Sequence, residues 1–276
     1  PLVLTIPAKN QGRGKILTET PISSFSKKNN FFIETIGSGR YVVDSIKDRI
    51  SNLDYLIVAS FGFILNETIL SLPKHGCINV HPSILPKWRG AAPIQRAIEA
   101  GDRVTGVSIM KMAVNLDAGP IWSIVEKPID DNDTYADLEV KLATVSLQML
   151  QRFLKTPYDK ITYNPQNQRN ATYAKKIIPN ELKIDWTRPA LEIVRKINAF
   201  YPKPSTYTYL NGQRLKLGKA ELLLHQKFIK KDPGTLLVCK DKKETLLIVC
   251  CGSGMLKINL IQKEGGKWIN AKSFVN

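Results

Sequence analysis

Three side chains in the first half of this sequence, Asn79, His81 and Asp117, have types and spacing that let an amide, an imidazole and a carboxylate face one crevice, where acid/base chemistry is open to them. The chain holds three histidines, so an imidazole proton transfer has only His75, His81 and His225 to draw on. His75 sits in the turn Lys74-His75-Gly76, and His225 ends an apolar stretch in the β-rich half, so both read as structural. His81 follows a strand predicted over 76–80 at its carboxyl end, where open α/β sheets place ligands. Asn79 lies two residues earlier and points to the same side of an extended strand, so an amide and an imidazole face one point. Asp117, within Asn115-Leu116-Asp117-Ala118-Gly119, lies in a loop between two later strands and can reach that crevice from the side. Each residue has a plainer reading: a lone histidine at a strand end is often structural, and an Asp before a small residue and Gly is a turn former. Together they make an imidazole acid/base step at this crevice a reading to weigh against the structural one.

The elements needed to hold these groups are visible in the patterning. Short apolar runs over 53–59 and 76–80 are bounded by polar or glycine residues, as in strands buried on both faces. Between them, 66–72 predicts a short helix opened by Asn66 and stopped at Pro73. The segment 92–100 predicts a helix ending at Gly101, and 105–112 and 121–125 predict two more strands. Thr134 and Asp137 form a capping-box pattern before Leu138, Leu142, Val145, Met149 and Phe153 at helical spacing, a stripe read as core. This is a doubly wound, Rossmann-like α/β pattern.

The second half has a different texture. The stretch 156–168 is rich in Pro, Asn, Gln and Tyr without periodicity and reads as a linker. A helix over 189–200 follows, with Pro189 suited to a first turn. Strands over 205–210 and 214–217 flank Asn211-Gly212, a strong hairpin signal. Further strands at 234–239, 245–251 and 255–261 suggest a small OB-like β-barrel, a natural form for a basic nucleic-acid module. The domain division is therefore 1–155, a linker over 156–170, and 171–276.

Charge follows the same division. The 276 residues carry a net +16. Residues 1–150 hold 16 Lys and Arg against 15 Asp and Glu, leaving 24 basic against 9 acidic residues for 151–276. Such asymmetry points to a nucleic acid or an anionic membrane as partner. Arg195 and Lys196 on the 189–200 helix, with Arg214, Lys216 and Lys219 around the Asn211 turn, are candidates for phosphate contacts, expected on one surface continuous with the crevice. No apolar run is long enough to span a membrane, and the start 2–6 is too short for a signal segment. The four cysteines (Cys77, Cys239, Cys250, Cys251) form no C-x-x-C pair, and with three histidines they supply no usual zinc spacing, so no metal is expected. They read as reduced thiols, which favours an intracellular or organellar setting. The N-x-T matches at Asn66 and Asn170 read as chance without a secretory signal. Gln11-Gly12-Arg13-Gly14-Lys15 lacks the spacing of a phosphate loop.

The run C-I-N-V-H-P-S-I-L-P-K-W-R-G-A-A-P-I-Q-R over 77–96 resembles the core of the methionyl-tRNA formyltransferase family, one of the formyltetrahydrofolate-dependent formyltransferases. The likeness continues through G-D at 101–102, T-G-V-S-I-M at 105–110, L-D-A-G-P at 116–120, A-T-Y-A at 171–174 and I-D-W at 184–186. The stretch 79–85 is shared with formyltransferases acting on small molecules, whereas W-R-G-A-A-P and the basic second half look more like the tRNA enzymes. The run His81-Pro82-Ser83, where many bacterial relatives have Gly in place of Pro82, looks like mitochondrial forms, which implies a mitochondrial matrix setting, with a bacterial or cytoplasmic one as alternative. The run 2–6 resembles the family's second strand, so the resemblance implies a chain that begins inside the family's first domain: a fragment, an isoform or an incomplete sequence.

The resemblance implies catalysis by Asn79, His81 and Asp117 on 10-formyltetrahydrofolate as co-substrate, with initiator methionyl-tRNA as acceptor. An amine attacking the formyl carbon leaves an oxyanion and an excess proton. The Asn79 amide and protonated His81 meet the oxyanion, and Asp117 supports the imidazolium and draws off the proton. Folate contacts are implied for Ser83, Ile84, Leu85 and Pro86 and for Gly62, Phe63, Ile64 and Leu65, although Phe63-Ile64-Leu65 is equally good core. Arg13 and Lys15 are implied to engage the acceptor end of tRNA, and the protein is expected to be a monomer. Two other readings remain: a formyltransferase or formylfolate hydrolase for a small molecule, and a non-catalytic RNA-binding relative.

Overall fold

The computed structural model of the chain describes residues 2–11, 16–36, 47–62, 65–223, 231–240 and 244–276. These fall into two compact units, one of residues 1–81, 109–122 and 163–166, the other of 82–108, 123–162 and 167–276.

In the first unit, parallel pairing occurs twice. Leu2–Thr5 pairs with Phe32–Thr35, and Leu56–Ala59 pairs with Cys77–His81 in the register Val58 to Asn79. Cys77–His81 is followed in its sheet by the first unit's parts of the next two strands, 109–111 and 121–122. All five residues of Cys77–His81 are buried, as the unbroken apolar run requires, and His81 is the last residue of the strand itself. Asn66 caps the helix Glu67–Leu70 by accepting from the Ile69 N–H at 3.0 Å, and Ile69 and Leu65 pack with Ile36 and Ile50 in one hydrophobic cluster that Leu56 and Val58 of the strand Leu56–Ala59 join.

In the second unit, the helix Pro93–Ala100 ends at Gly101 in a left-handed conformation (φ 79°), as its glycine stop predicts. The helix Tyr135–Lys155 opens with the Thr134 and Asp137 capping box, and it buries Leu138, Leu142, Val145, Met149 and Phe153. The motifs at 88–93 and 171–174 meet: the Arg89 N–H donates to the Thr172 carbonyl at 2.9 Å, the Ala91 N–H to the Ala174 carbonyl at 2.9 Å. Gly90 admits this approach, since a Cβ there would lie 2.7 Å from the Ala174 carbonyl oxygen.

The remainder of this unit is an antiparallel sheet ordered Thr206–Leu210, Gln213–Leu222, Met255–Lys263, Thr245–Cys250, Leu236–Lys240, with Trp268–Asn270 beside Met255–Lys263. Asn211 (φ 49°) and Gly212 (φ 77°) supply the two positive φ angles of a tight hairpin turn. The helix Ala190–Phe200 buries Ile193, Val194 and Ile197 against Leu215, Leu217 and Ala220. Leu215, Leu217 and Ala220 cannot share one face by simple alternation. The break falls at Lys219, whose φ of 52° reverses the pleat. Pairing with Met255–Lys263 keeps one register on both sides of Lys219, and buried Asn198 meets the backbone just beyond it, accepting from the Ala220 N–H at 2.9 Å and donating to the Ala220 carbonyl at 3.0 Å. Asn198→Ala leaves both groups buried without that partner and is expected to cost about 2 to 4 kcal/mol, read as a lowered midpoint in urea unfolding. A midpoint equal to the parent's would show that Asn198 does not hold this kink.

Candidate active site

Asn79 and His81 alternate with Ile78 and Val80 along one strand, which puts the amide and the imidazole on one face. Asp117 joins them from the loop between Val104–Lys111 and Ile121–Pro128. The Asn79 Nδ2 donates to Asp117 Oδ1 at 3.3 Å, and His81 Nδ1 stands 3.7 Å from Asp117 Oδ2. The His81 and Asp117 side chains are 5% and 10% exposed, so the attraction between a protonated imidazole and the carboxylate acts in a largely water-excluded crevice. With Nδ1 turned to the carboxylate, Nε2 lies on the ring edge away from it. The 3.7 Å separation is longer than a hydrogen bond, a looseness common in catalytic sites before substrate closes them.

The loop carrying Asp117 is tightly specified. Asp117 itself adopts a left-handed conformation (φ 47°), tolerable for Asp, and the Ala118 N–H donates to the Asn115 carbonyl at 3.2 Å. The loop is closed where the Lys111 N–H donates to the Pro120 carbonyl at 2.9 Å. Gly119 passes so close to the Lys111 carbonyl oxygen that no side chain fits. Gln166, read from the sequence as linker, is buried here, and its Nε2 donates to the Asp117 carbonyl at 2.8 Å and the Gly119 carbonyl at 2.7 Å. Burial pushes the Cys77 thiol, at the start of the same strand, up to about 12, only partly offset by Lys111, which makes it a poor nucleophile at neutral pH.

The other expected site residues divide. Ser83 and Leu85 are buried, and Ser108 ties them together: its hydroxyl donates to the Ser83 carbonyl at 2.7 Å and accepts from the Leu85 N–H at 3.1 Å. The Ser83 hydroxyl donates to the Lys87 carbonyl at 2.6 Å. Ser83 and Leu85 thus shape the segment, while Ile84 and Pro86 keep partly exposed surfaces. Gly62 is exposed with open space around its Cα, whereas Leu65 is spent in the core. Phe63, Ile64, Arg13, Lys15 and His225 lie outside the described residues. His75 packs its ring against Tyr55 at 5.2 Å, in keeping with a structural role.

The basic residues occupy more than one place in the second unit. Arg214 and Lys216 share the face of their strand opposite buried Leu215 and Leu217, and hence opposite the helix Ala190–Phe200. Arg214 lies 3.8 Å over the Tyr207 ring, and Tyr207 and Tyr209 pair with Lys216 and Arg214 across the hairpin. Lys219 is close enough to Asp137 to help lower its carboxyl below the usual range, after the Thr134 hydrogen bond. Arg195 and Lys196 line a cavity of about 480 Å³ with Glu99, Asp185, Arg188 and Glu192.

An α/β sheet strand that ends in Asn79 and His81, met by Asp117 from a loop, and joined in sequence to an antiparallel basic module, defines a class, and comparison with known proteins says which. The Formyl transferase model matches residues 2–154 and the Formyl transferase, C-terminal domain model matches 176–276. The chain belongs to the formyl transferase family, and within it to the methionyl-tRNA formyltransferases. It is 38% identical over 275 residues to methionyl-tRNA formyltransferase of Coxiella burnetii (strain RSA 331 / Henzerling II), covering 99% of this chain and 86% of that one. It is 36% identical over 285 residues to the enzyme of that name from Paraburkholderia phymatum, covering 100% and 86%. Among solved structures, methionyl-tRNA formyltransferase from Clostridium thermocellum superposes with a TM-score of 0.58 at 18% identity, covering 80% of this chain and 92% of that one. HypX from Aquifex aeolicus in complex with tetrahydrofolic acid gives 0.63 at 15%, covering 100% of this chain and 46% of the other.

Proposed function

We propose that this chain transfers the formyl group of 10-formyltetrahydrofolate to the amine of methionyl initiator tRNA for translation initiation, with Asn79, His81 and Asp117 as its catalytic residues. The observation that carries this is the meeting of the three side chains, from a strand end and a loop 36 or more residues away, in one buried crevice. Folate, when bound, would supply the activated formyl group. The Asn79 amide, whose N–H donates to Asp117, would turn to donate to the oxyanion. His81 would offer its second ring nitrogen to the same oxygen while Asp117 holds the first; the Asp117 carboxylate would collect the proton shed by the amine, and as the intermediate collapses the bond from the formyl carbon to N10 breaks, N10 takes up a proton, and tetrahydrofolate leaves.

The partly exposed Ile84, Pro86 and Gly62, with Phe63 and Ile64, would frame the pterin, and Ser83 and Leu85 would keep that frame in shape. The division into a catalytic domain 1–155, a linker 156–170 and a tRNA-binding domain 171–276 is supported by the bounds of the two family models. The antiparallel second module, read as an OB-like barrel, would hold the tRNA body, with Arg13 and Lys15 engaging its acceptor end. A mitochondrial setting draws on Pro82, in His81-Pro82-Ser83, alone; the bacterial relatives compared above support the alternative.

The direct test incubates the chain with 10-formyltetrahydrofolate and charged initiator tRNA and follows formyl-methionine after deacylation. Formylation of the charged tRNA with no transfer to free methionine or aminosugars is expected; the reverse preference would move the reading to a small-molecule enzyme. Neither transfer, with tRNA still bound, would mark a non-catalytic relative.

The tRNA surface has its own test. Exposed Arg214, stacked on Tyr207, and Lys216 beside it combine cation and aromatic ring as single-stranded or loop nucleotides require. Reversing Arg214 and Lys216 to Glu is expected to weaken tRNA binding and to flatten the log-log salt slope by about 0.7 to 0.9 per lost phosphate contact, with folate binding intact. Equal binding by parent and variant throughout a salt titration would remove this face from the interface. The same titration with Lys219→Glu, and with Arg195 and Lys196 reversed, tests the remaining candidates.

A further inference from the structure

We infer that Gln166 is a positioning residue for the catalytic carboxylate, an inference that rests on the role assigned above to Asp117. Gln166 belongs to a stretch with no helical or strand periodicity, yet it is buried and its Nε2 reaches into the Asp117 loop. A primary amide has two N–H groups on one nitrogen, and here that nitrogen donates to two carbonyls, of Asp117 at 2.8 Å and of Gly119 at 2.7 Å. The two acceptors sit two residues apart. Holding both fixes the peptide planes that follow Asp117 and Gly119, and with them the ψ angles that aim the Asp117 side chain at Asn79 and His81. Asp117 gains from such support because its backbone is left-handed (φ 47°), a region that L-residues enter as single positions held by their surroundings.

Gln166 is itself firmly placed. Asn164 precedes Pro165, which favours an extended backbone at 164. That extended residue pairs with Ile121 through two hydrogen bonds of 2.8 Å, Ile121 N–H to the Asn164 carbonyl and Asn164 N–H to the Ile121 carbonyl. Since Ile121 begins the strand that leaves the Asp117 loop, the segment 163–166 is fastened to the far side of the loop it steadies. Glu at 166 brings acceptors to face two carbonyl oxygens, and Met keeps the volume but no donor.

The experiment measures Gln166→Met and Gln166→Glu alone and each with Asp117→Asn, using the full chain, 10-formyltetrahydrofolate and charged initiator tRNA. With Asp117 present, kcat is expected to fall by about 10- to 100-fold while KM for both substrates stays within about threefold, because a carboxylate displaced by a fraction of an ångström still leaves the binding surfaces in place. With Asp117→Asn, adding Gln166→Met is expected to change kcat less than about twofold, since Gln166 then has no carboxylate to aim. A merely structural Gln166 would give the same loss in both backgrounds, together with a fall in Tm that accounts for it, and that result overturns the inference. So does near-parental kcat in both Gln166 variants while Asp117→Asn is inactive, which leaves the assignment of Asp117 standing. Full turnover by Asp117→Asn alone overturns both.

Discussion

Asp117→Asn is expected to lower kcat by about 10² to 10⁴-fold, and His81→Ala by a similar factor, while the dissociation constant for folate changes little. The two side chains meet at 3.7 Å with almost no access to water, so the carboxylate's charge bears on the imidazolium without much screening. Asn keeps the size of Asp and the polar contact with Asn79 but gives up both the charge and the basic site. The charge matters most when the imidazole is protonated and a proton must leave the amine, that is, in the transition state, so kcat suffers rather than binding. Single-turnover formylation with saturating folate, alongside a folate titration by fluorescence, separates the two. Near-normal turnover by either variant would sink the assignment of that residue.

Gly119→Ala is expected to cost about 100-fold or more in kcat although position 119 carries no functional group. A methyl group there would lie inside the Lys111 carbonyl oxygen, whose residue closes the loop through its N–H to Pro120. Backbone on both sides leaves no flexible side chain to swing away, so the loop must shift, and a displacement near 1 Å at a reacting group is worth about 10²-fold. The shift would also stretch the Gln166 bond to the Gly119 carbonyl. Circular dichroism confirms a folded variant, and the kcat measured beside it decides the matter. A Gly119→Ala protein working within about threefold of the parent would mean that Asp117 is not held by this loop geometry.

The parts of the site that could be read in the sequence are those set by local rules. Asn79 and His81 are two apart on a buried run, and strand periodicity alone puts them on one face. The cap at Thr134, the stripe from Leu138 to Phe153, the stop at Gly101 and the hairpin at Asn211-Gly212 each depend on neighbours within a turn or two, and each forms as its residues predict. Gln166 was not legible, because nothing in a run of Pro, Asn and Gln shows that it will return across the chain to a loop more than 40 residues away. Asn198 escaped for a like reason: a polar residue on an otherwise apolar helix face shows its purpose only when the Ala220 backbone arrives beside it. The basic residues of the second half were countable, but which face each one takes depended on the reversal at Lys219 and on the side of the sheet that the helix Ala190–Phe200 covers.

By itself, then, the sequence determined the class of the chain, its alternation of strands and helices, the strand bearing Asn79 and His81, and the motif that identifies its family, because all of these reside in local periodicity and in contiguous residues. Only the tertiary structure decided that Asp117 closes on them, that Gln166 and Gly119 hold it there, and that Ser83 and Leu85 serve the shape of their segment, because hydrogen bonds between distant backbone groups and the space beside a glycine exist only once the chain has packed.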